Sequence, residues 1–491
     1  MGVEAVTLGR LAAIASRTQH IHLVGDTPVD DLHADSRLAT AGSVFVAVRG
    51  SSRDGHDLVA EAVATGAVAV VVEHPVPVAV PQLIVADTRA LLGALAAEVH
   101  GHPASRMVMV GITGTNGKTT VTHLLASMVS AAGRAPGVIG TIGARIGAEP
   151  LPTGFTTPEA PALQRLLRRM VDTGVGVVAM EVSSHALELG RVDAVEFDVA
   201  GFTNLSQDHL DFHGDMETYF AVKRRLFHPE RSREAVVAID DPWGRRLGDE
   251  ITIPTTTVGL DDAADIGVAS IDLTASGGKL GVRLDGGGFV VPLPLAGRFN
   301  AVNTLVAIGC ALRIGLAPEN IRRGLAEMAP VPGRFERVEA GQDFTVVVDF
   351  AHTPDAIRTV VGAAREITSG RVIAVGGAGG DRDRAKRPLM GVALAGADLA
   401  VITSDNPRTE DPDAIIAQMT AQLEPGAAVR VEPDRRRAIA IALAEARPGD
   451  IVLILGKGHE TGQDIHGVVT PFDDRVVAAE ELAAQHRDGP A

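Results

Sequence analysis

The stretch Gly111-Ile-Thr-Gly-Thr-Asn-Gly-Lys-Thr-Thr120 decides the fold of the middle of this chain. It follows a short apolar run, Met107–Gly111, which predicts a buried strand. It precedes Val121–Gly133, where apolar side chains recur at helical spacing. A glycine-rich turn at a helix N-terminus lets backbone N–H groups surround a phosphate, and the helix dipole adds to the attraction. The pattern therefore predicts a nucleotide-binding loop between a strand and a helix.

This loop departs from the strict phosphate-loop pattern, because Ile112 stands where that pattern has its first glycine. We expect Lys118 to reach the β- and γ-phosphates of a nucleotide and Thr119 to coordinate Mg²⁺. The loop residues expected to contact ATP are Gly114, Thr115, Asn116, Gly117, Lys118, Thr119 and Thr120. Taken alone, a Gly-Lys-Thr triplet also fits a glycine-rich turn with a solvated lysine.

Polar side chains follow two further apolar strands. Glu181 comes directly after the predicted strand Gly176–Met180, at the position where a carboxylate beside a phosphate loop holds Mg²⁺. A helix-capping acid is the alternative for this residue. The strand Val199–Thr203 is followed by Asp208 and His209 in a dense polar segment, which indicates a site.

Lysine is rare in this chain, since only five of its 45 basic residues are lysines. Four of the five, Lys118, Lys223, Lys386 and Lys457, fall inside the sequence blocks described here, whereas Lys279 lies in a turn. Lysine differs from arginine as a compact charge and as an amine that can lose its proton and react. By its immediate sequence alone, Lys223 is an amphipathic-helix lysine.

Composition excludes several classes of protein. A net charge of −16 and 3% aromatic residues argue against nucleic-acid and anionic-membrane surfaces. The apolar runs are far shorter than the roughly 18 residues that a membrane span needs. A single cysteine, Cys310, excludes an internal disulfide and a cysteine-based zinc cluster, and the start of the chain lacks a secretory signal pattern. We therefore expect a cytoplasmic protein.

The 491 residues predict three α/β domains, at about 150 residues per domain. The polar break 101–106 and the stretch 330–333 place the domains near 1–104, 105–331 and 332–491. The central domain is predicted to hold a parallel sheet like that of P-loop ATPases, with antiparallel excursions in 251–291. In the last third, strands such as Thr345–Asp349 and Ile451–Leu455 alternate with helices, which predicts a Rossmann-like domain.

In their order along the chain, these blocks resemble the Mur ligases, the ATP-dependent amide-forming enzymes of peptidoglycan precursor synthesis. The resemblance rests on the phosphate loop, Glu181-Val-Ser-Ser-His185, Thr203-Asn-Leu, Asp208-His-Leu-Asp211, Lys223-Arg-Arg-Leu-Phe227, Gly297-Arg-Phe-Asn-Ala-Val-Asn303 and Pro332-Gly-Arg334. It implies that the three domains bind a UDP-sugar, ATP and an amino acid. It further implies that Thr119 and Glu181 hold one Mg²⁺, and that His209 holds a second together with Lys223 as its CO₂ carbamate.

The last third resembles the branch of the family that adds meso-diaminopimelate, rather than L-lysine, to UDP-MurNAc-L-Ala-D-Glu. The blocks are Val348-Asp-Phe-Ala-His-Thr-Pro-Asp355, 376–390, Asp405-Asn-Pro-Arg408 and Gly456-Lys-Gly-His-Glu460. The residues implied for diaminopimelate are Arg382, Asp405, Asn406, Pro407, Arg408, Gly456 and Glu460. Diaminopimelate carries a second carboxylate, which a planar guanidinium binds bidentately. Taken alone, Asn-Pro-Arg would be an ordinary turn.

The same resemblance implies the remaining contacts. Those to the UDP-MurNAc dipeptide are Ser36, Thr156, Thr157, Ser184 and Arg191. Asn303, Arg334 and the stretch 349–352 are expected near the nucleotide. The chain departs from the family at Phe350, where tyrosine is frequent, at Ala378, where some members have cysteine, and at Phe155, where some have asparagine.

The implied reaction activates the D-glutamate side-chain carboxylate as an acyl phosphate, which the amine of the amino acid then attacks. Lys118, Glu181, His209 and Lys223 are the residues expected to carry it, acting through charge and positioning on a monomeric protein. Three alternatives stay open: the same reaction with L-lysine, a folylpolyglutamate synthase, and a P-loop ATPase switch that drives a protein partner.

Overall fold

The protein is described here from a computed structural model, which covers residues 6–50 and 53–488. Three large sheets of five, eight and six strands follow one another along the chain and are covered by helices, and two small antiparallel sheets accompany them. This confirms the predicted α/β class with several parallel sheets. The domain boundaries near residues 104 and 331 stay a prediction.

The first sheet has five strands and lies between residues 22 and 84. Its elements are α1 (Leu8–Ala15), β1 (His22–Val24), β2 (Asp31–His33), β3 (Ser43–Val46), α2 (Val59–Thr65), β4 (Ala69–Val72), β5 (Gln82–Ile84) and α3 (Thr88–Val99). The spatial order is β1-β5-β4-β3-β2, and only β1 runs antiparallel to its neighbour. Helices α1 and α3 bury Leu11 and Leu95 against one face of the sheet.

The central part of the chain forms an eight-stranded sheet and a smaller antiparallel sheet. Its elements are β6 (Val108–Thr113), α4 (Lys118–Ala131), β7 (Pro136–Gly140), β8 (Gly143–Ile146), β9 (Glu149–Leu151), α5 (Ala160–Asp172), β10 (Val177–Glu181), α6 (Ser184–Glu188), β11 (Phe197–Phe202), α7 (Leu210–His213), α8 (Met216–Arg224), β12 (Ser232–Ala238), α9 (Pro242–Glu250), β13 (Thr255–Val258), β14 (Gly267–Thr274), β15 (Gly277–Leu284), β16 (Gly287–Leu293), α10 (Arg298–Arg313) and α11 (Pro318–Ala326).

The large sheet has the order β13-β12-β11-β6-β10-β7-β8-β9, and β13 to β7 are all parallel. Side chains alternate across it as strand geometry requires. On β10, Val177 and Ala179 pack on the side of α4 and α10, and Val178 and Met180 on the side of α5. Apolar side chains on both faces explain why these strands appear in the sequence as continuous apolar runs.

Two details of the central part differ from the sequence prediction. The segment 251–291 was predicted to form antiparallel excursions, which is confirmed for β14, β15 and β16. It is wrong for β13, because that strand extends the parallel sheet beside β12. Strands β8 and β9 were not predicted, and they add an antiparallel edge beyond β7.

The last sheet has six strands in the order β17-β18-β22-β19-β20-β21, all parallel except β17. Its elements are β17 (Glu336–Val338), β18 (Thr345–Asp349), α12 (Pro354–Ile367), β19 (Val372–Gly376), α13 (Lys386–Leu394), β20 (Leu399–Ile402), α14 (Pro412–Thr420), β21 (Val429–Val431), α15 (Arg435–Glu445) and β22 (Ile451–Leu455), followed by the hairpin β23 (Gly462–Ile465) and β24 (Val468–Pro471) and by α16 (Asp474–Asp488). Within residues 6–50 and 53–488, no helix is long and apolar enough to cross a membrane.

Candidate active site

The phosphate loop lies at the carboxyl end of β6 and continues directly into α4, which begins at Lys118. Gly117 has a left-handed backbone with φ of +87°, and a Cβ on it would lie 2.2 Å from Asn303 Oδ1. Glycine is therefore required at this turn. The Lys118 ammonium donates to the carbonyls of Gly114 and Thr115 at 2.9 and 2.8 Å, so its side chain folds back over the loop.

Glu181 ends β10 beside the loop and is 1% exposed. Its Oε1 accepts from Thr119 Oγ1 at 2.8 Å and from the backbone N–H of Thr141 at 2.9 Å. Its Oε2 accepts from Thr141 Oγ1 at 3.0 Å. The neighbouring Gly140 leaves room for this carboxylate, because a Cβ there would lie 2.2 Å from Oε1. A hydroxyl and a carboxylate oxygen held together are ligands that Mg²⁺ prefers, so Thr119 and Glu181 fit that ion.

His209 and Lys223 line the same cavity as Thr119 and Glu181. Burial lowers the pKa of His209 to about 4, so its ring is neutral at pH 7 and free to bind a metal ion. Lys223, 1% exposed, donates to the Gly114 carbonyl at 2.8 Å, and its Nζ lies 4.7 Å from the centre of the Tyr219 ring. Burial, reinforced by the charge of Lys118, lowers the pKa of Lys223 well below its usual value.

No group of three or more His, Cys, Asp or Glu side chains in the described part of the chain is placed to hold a metal ion. The predicted ligand set differs from such a group, because it relies on a threonine and on a modified lysine. Thr119 and Glu181 therefore fit Mg²⁺ through oxygen ligands, whereas His209 stays a predicted nitrogen ligand of a second ion.

Asp208, next to His209, joins the central part of the chain to the last third. Its carboxylate lies 3.6 Å from Lys386 Nζ and 4.0 Å from His352 Nε2. Although burial raises the pKa of Asp208, the charges of His209, His352 and Lys386 lower it to about 2. The ionised carboxylate of Asp208 thus meets two groups from the last sheet.

Arg334 makes a second link between the two parts. Its Nη2 donates to Thr119 Oγ1 at 3.0 Å, and its guanidinium lies 4.6 Å from the centre of the Phe350 ring. Phe350, the departure from tyrosine, thus supplies a face on which the guanidinium stacks. Burial lowers the pKa of Arg334, but arginine keeps its charge.

A cavity of about 630 Å³ opens between these elements. Predicted site residues that line it are Thr115, Asn116, Gly117, Lys118, Thr119, Thr120, Thr156, Glu181, Ser184, His209, Lys223, Asn303, Arg334 and Arg382. Asp349, Phe350, Ala351 and His352 line it as well. The volume suits a nucleotide-sized ligand.

The residues predicted to bind the dipeptide lie around the end of β10, with one exception. Thr157 Oγ1 donates to the Glu181 carbonyl at 2.8 Å, and Arg191 Nη1 donates to the Thr157 carbonyl at 3.0 Å. Arg191 also lies over the ring of Phe155, at 4.8 Å from the ring centre. The exception is Ser36, which is 3% exposed in a turn of the first sheet's region and hydrogen-bonds Glu61.

The residues predicted to bind diaminopimelate fall into two connected groups. Arg382 and Arg408 both lie against Gly379, where a Cβ would be 3.0 Å from Arg408 Nη1 and 3.8 Å from Arg382 Cγ. Asn406 Nδ2 donates to Glu460 Oε2 at 2.7 Å.

Gly456 and Pro407 complete this region. Gly456 packs against Asp405, whose carboxyl would lie 2.6 Å from a Cβ at that glycine. Pro407 continues the same loop, and its carbonyl lies 1.8 Å from the Cβ position of Gly380. Only Arg382 of the predicted diaminopimelate residues lines the 630 Å³ cavity.

Thr141 was missed by the sequence reasoning. It follows β7, the neighbour of β10, so a polar residue at the carboxyl end of that strand was the available signal. The contacts of Lys386 with Asp208 and of Lys457 with Asn406 were also missed, because in each case this partner is remote in sequence.

Comparisons with known proteins cover most of the chain. Residues 29–100 match the family model "Mur ligase family, catalytic domain", 112–311 match "Mur ligase middle domain", and 333–458 match "Mur ligase, glutamate ligase domain". UDP-N-acetylmuramoyl-L-alanyl-D-glutamate--2,6-diaminopimelate ligase of Geobacillus thermodenitrificans is 44% identical over 467 residues, covering 93% of this chain and 96% of the relative. The Streptomyces coelicolor ligase of the same name is 46% identical and covers 93% of both chains.

Solved structures give the same result. A ligase of that name superimposes with a TM-score of 0.68 and 34% identity, covering 94% of this chain and 96% of the other. Mycobacterium tuberculosis folylpolyglutamate synthase superimposes with a TM-score of 0.62 over 82% of this chain and 95% of its own, at 21% identity. The latter similarity concerns the fold alone.

Proposed function

The chain belongs to the Mur ligase family, and from this membership we propose how it works: it is an ATP-dependent amide-forming ligase. It adds meso-diaminopimelate to the D-glutamate side-chain carboxylate of UDP-MurNAc-L-Ala-D-Glu, in peptidoglycan precursor synthesis. The observation that carries the residue assignments is the shared cavity, where the phosphate loop and Arg382 face the same space. A nucleotide and an amino acid bound at these two walls would meet inside it.

In the first step, a D-glutamate carboxylate oxygen bonds to the γ-phosphorus of ATP while the bond from that phosphorus to the ADP oxygen breaks. The backbone N–H groups at the start of α4 and the Lys118 ammonium bind the phosphates. Arg334, held 3.0 Å from Thr119 Oγ1, adds charge beside the transferring group. When bound at Thr119 and Glu181, Mg²⁺ would neutralise phosphate charge.

In the second step, the neutral amine of diaminopimelate bonds to the acyl carbon, the carbon–oxygen bond to phosphate breaks, and the amine loses a proton. Arg382 and Arg408 would hold the carboxylate that distinguishes diaminopimelate from lysine. Gly456 and Glu460 would face its amino-acid end. In this step the side chains position the reactants and exclude water, and no covalent enzyme intermediate is needed.

Lys223 would act as a carbamate, formed when its neutral amine adds to CO₂ and loses a proton. The buried position and the lowered pKa of Lys223 support this, because only a deprotonated amine is nucleophilic. The carbamate would give His209 an anionic partner for a second Mg²⁺. Arginine could not be modified in this way, which accounts for a lysine at this position.

Cys310 is a buried free thiol, which suits a reducing compartment, and we infer that the protein acts in the cytoplasm. The monomeric state stays a prediction.

The deciding experiment measures phosphate release by the purified protein with ATP, Mg²⁺ and UDP-MurNAc-L-Ala-D-Glu, with meso-diaminopimelate and L-lysine supplied separately. We expect turnover with diaminopimelate only, and none when the UDP-sugar is omitted. Turnover with L-lysine alone would contradict the role given to Arg408. Turnover independent of the UDP-sugar would indicate an ATPase switch instead.

A further inference from the structure

Lys457 lies in the middle of the amino-acid region but has no role in the reaction described above. Its side chain is 0% exposed, and its Nζ donates to Asn406 Oδ1 at 3.1 Å, Glu460 Oε2 at 3.3 Å and the Gly462 carbonyl at 2.6 Å. An ammonium group has three donors and no acceptor, so these three acceptors satisfy it completely. We propose that Lys457 is a positioning residue that fixes the hydrogen-bond pattern of the diaminopimelate pocket; this rests on the proposed function.

The first contact sets the orientation of the Asn406 amide. Asn406 Oδ1 accepts from Lys457 and from the backbone N–H of Asp464, both at 3.1 Å. Neither partner can accept a hydrogen bond through these atoms, so the amide oxygen must face them and the amide NH₂ must face Glu460. With Lys457 removed, only Asp464 would hold this orientation.

The second contact controls Glu460. Both of its hydrogen bonds, from Asn406 and from Lys457, use Oε2. Within the described residues Oε1 receives no hydrogen bond, and the Glu460 side chain is 35% exposed. The carboxylate is thus anchored by one oxygen and presents the other, which can accept from an ammonium group of the amino acid.

The third contact reaches the loop that carries Arg408. Gly462 begins β23, and the backbone N–H of Arg408 donates to the Asp464 carbonyl of that strand at 3.0 Å. Arg408 has a left-handed backbone with φ of +52°, an unfavourable conformation for a residue with a Cβ. Lys457 therefore ties together the three segments that hold Asn406, Glu460 and Arg408.

A lysine is specifically suited to this position. The chain uses arginine for 40 of its 45 basic residues, yet it keeps lysine here. Arginine would bring five donors in a planar fork to three acceptors, and it is larger than a fully buried lysine site. Buried donors without partners are costly, which disfavours arginine.

The test compares the variant Lys457→Met with the wild type in steady-state kinetics, varying ATP, the UDP-sugar dipeptide and diaminopimelate in turn. We expect the KM for diaminopimelate to rise about tenfold to a hundredfold, as for the loss of hydrogen bonds to charged groups. The KM values for ATP and the dipeptide should stay within about twofold, since Lys457 contacts neither the phosphate loop nor the cavity wall. Lys279→Met, at an exposed lysine of β15, is the matched control and should change none of the three.

The KM readout separates positioning from a purely structural role, because partial unfolding lowers the amount of active enzyme without changing the KM for one substrate. If Lys457→Met is not recovered folded, Lys457→Gln takes its place and should show the same selective rise, because a neutral amide has only two N–H donors for the three acceptors that the ammonium satisfies. The inference is overturned if the KM for diaminopimelate is unchanged, if all three KM values move together, or if neither variant folds. A wild type inactive with diaminopimelate would overturn the proposed function and the inference together.

Discussion

Replacing Gly117 by alanine should weaken ATP binding through strain that is readable from the structure. The backbone at Gly117 has φ of +87°, and a Cβ there would lie 2.2 Å from Asn303 Oδ1. The left-handed conformation costs an L-residue about 1–2 kcal/mol, and displacing the Asn303 side chain from its rotamer costs about 0.5–1.5 kcal/mol more. The total is about 1.5–3.5 kcal/mol, which corresponds to roughly a 10- to 400-fold loss if it falls entirely on nucleotide affinity.

Two measurements divide that strain between folding and binding. If the loop keeps its shape without nucleotide, the strain lowers the free energy of unfolding; if the loop relaxes, ATP binding must restore the shape and the affinity falls. Denaturant unfolding of the free protein and calorimetric titration with ATP should therefore show losses that sum to about 1.5–3.5 kcal/mol. Adding Asn303→Ala should recover only the part that comes from the clash, measured as a double-mutant coupling.

Gly176→Ala is the matched control, because a Cβ at that glycine meets nothing within 4 Å and its φ is not left-handed. It should leave both ATP affinity and stability essentially unchanged. A Gly117→Ala variant that bound ATP as tightly as the wild type and was equally stable would refute the reasoning about this loop.

Four further predictions follow. Arg408→Ala should lower kcat/KM for diaminopimelate roughly tenfold or more, as for a lost hydrogen bond to a charged group, with the KM for ATP unchanged; an unaltered preference for diaminopimelate over L-lysine would contradict its role. Lys223→Arg should abolish turnover while calorimetry still detects ATP binding, because a guanidinium forms no carbamate; retained turnover would remove the carbamate from the mechanism. Burial lowers the pKa of His123 to about 4, so the unfolded chain binds more protons between about pH 6.5 and 4, and the free energy of unfolding should fall as pH falls through that window. Denaturant unfolding of His123→Gln should show a shallower fall, and an unchanged pH dependence would contradict the assignment. Asp474→Asn should destabilise the fold by about 3–5 kcal/mol, since it leaves the fully buried Arg435 without its anion; a loss of less than about 1 kcal/mol would show that water reaches the pair.

The sequence predicted best those elements whose cause is local. The strands Thr345–Asp349 and Ile451–Leu455 were predicted to the residue, because each contains a continuous apolar run bounded by polar residues or glycine. The helix after the phosphate loop was predicted to begin at Val121, but α4 begins at Lys118. Apolar spacing carries no signal for that first turn, because its residues Lys118, Thr119 and Thr120 are polar and line the cavity.

What the sequence could not predict depends on contacts between remote segments. The direction of β13 is set by its pairing with β12, and a short alternating strand has the same pattern in either direction. Among the candidate site residues, the phosphate loop and Glu181 follow strands directly and were predicted for that reason. Lys457 was given no role because one of its three partners, the Asn406 amide that it orients, is 51 residues away.

Arg334 lies just before the last sheet and donates a hydrogen bond to Thr119 of the phosphate loop, 215 residues earlier in the chain. The residues that line the cavity therefore come from two different parts of the molecule. A ligand that fills the cavity would contact both parts at once and so link them. Part of the binding free energy of such a ligand would then stabilise this arrangement of the two parts. Inhibitors that bind in this cavity would therefore differ in the arrangement of the two parts that they stabilise, as well as in how closely they resemble a substrate. An inhibitor that held the two parts apart would block the reaction without resembling ATP.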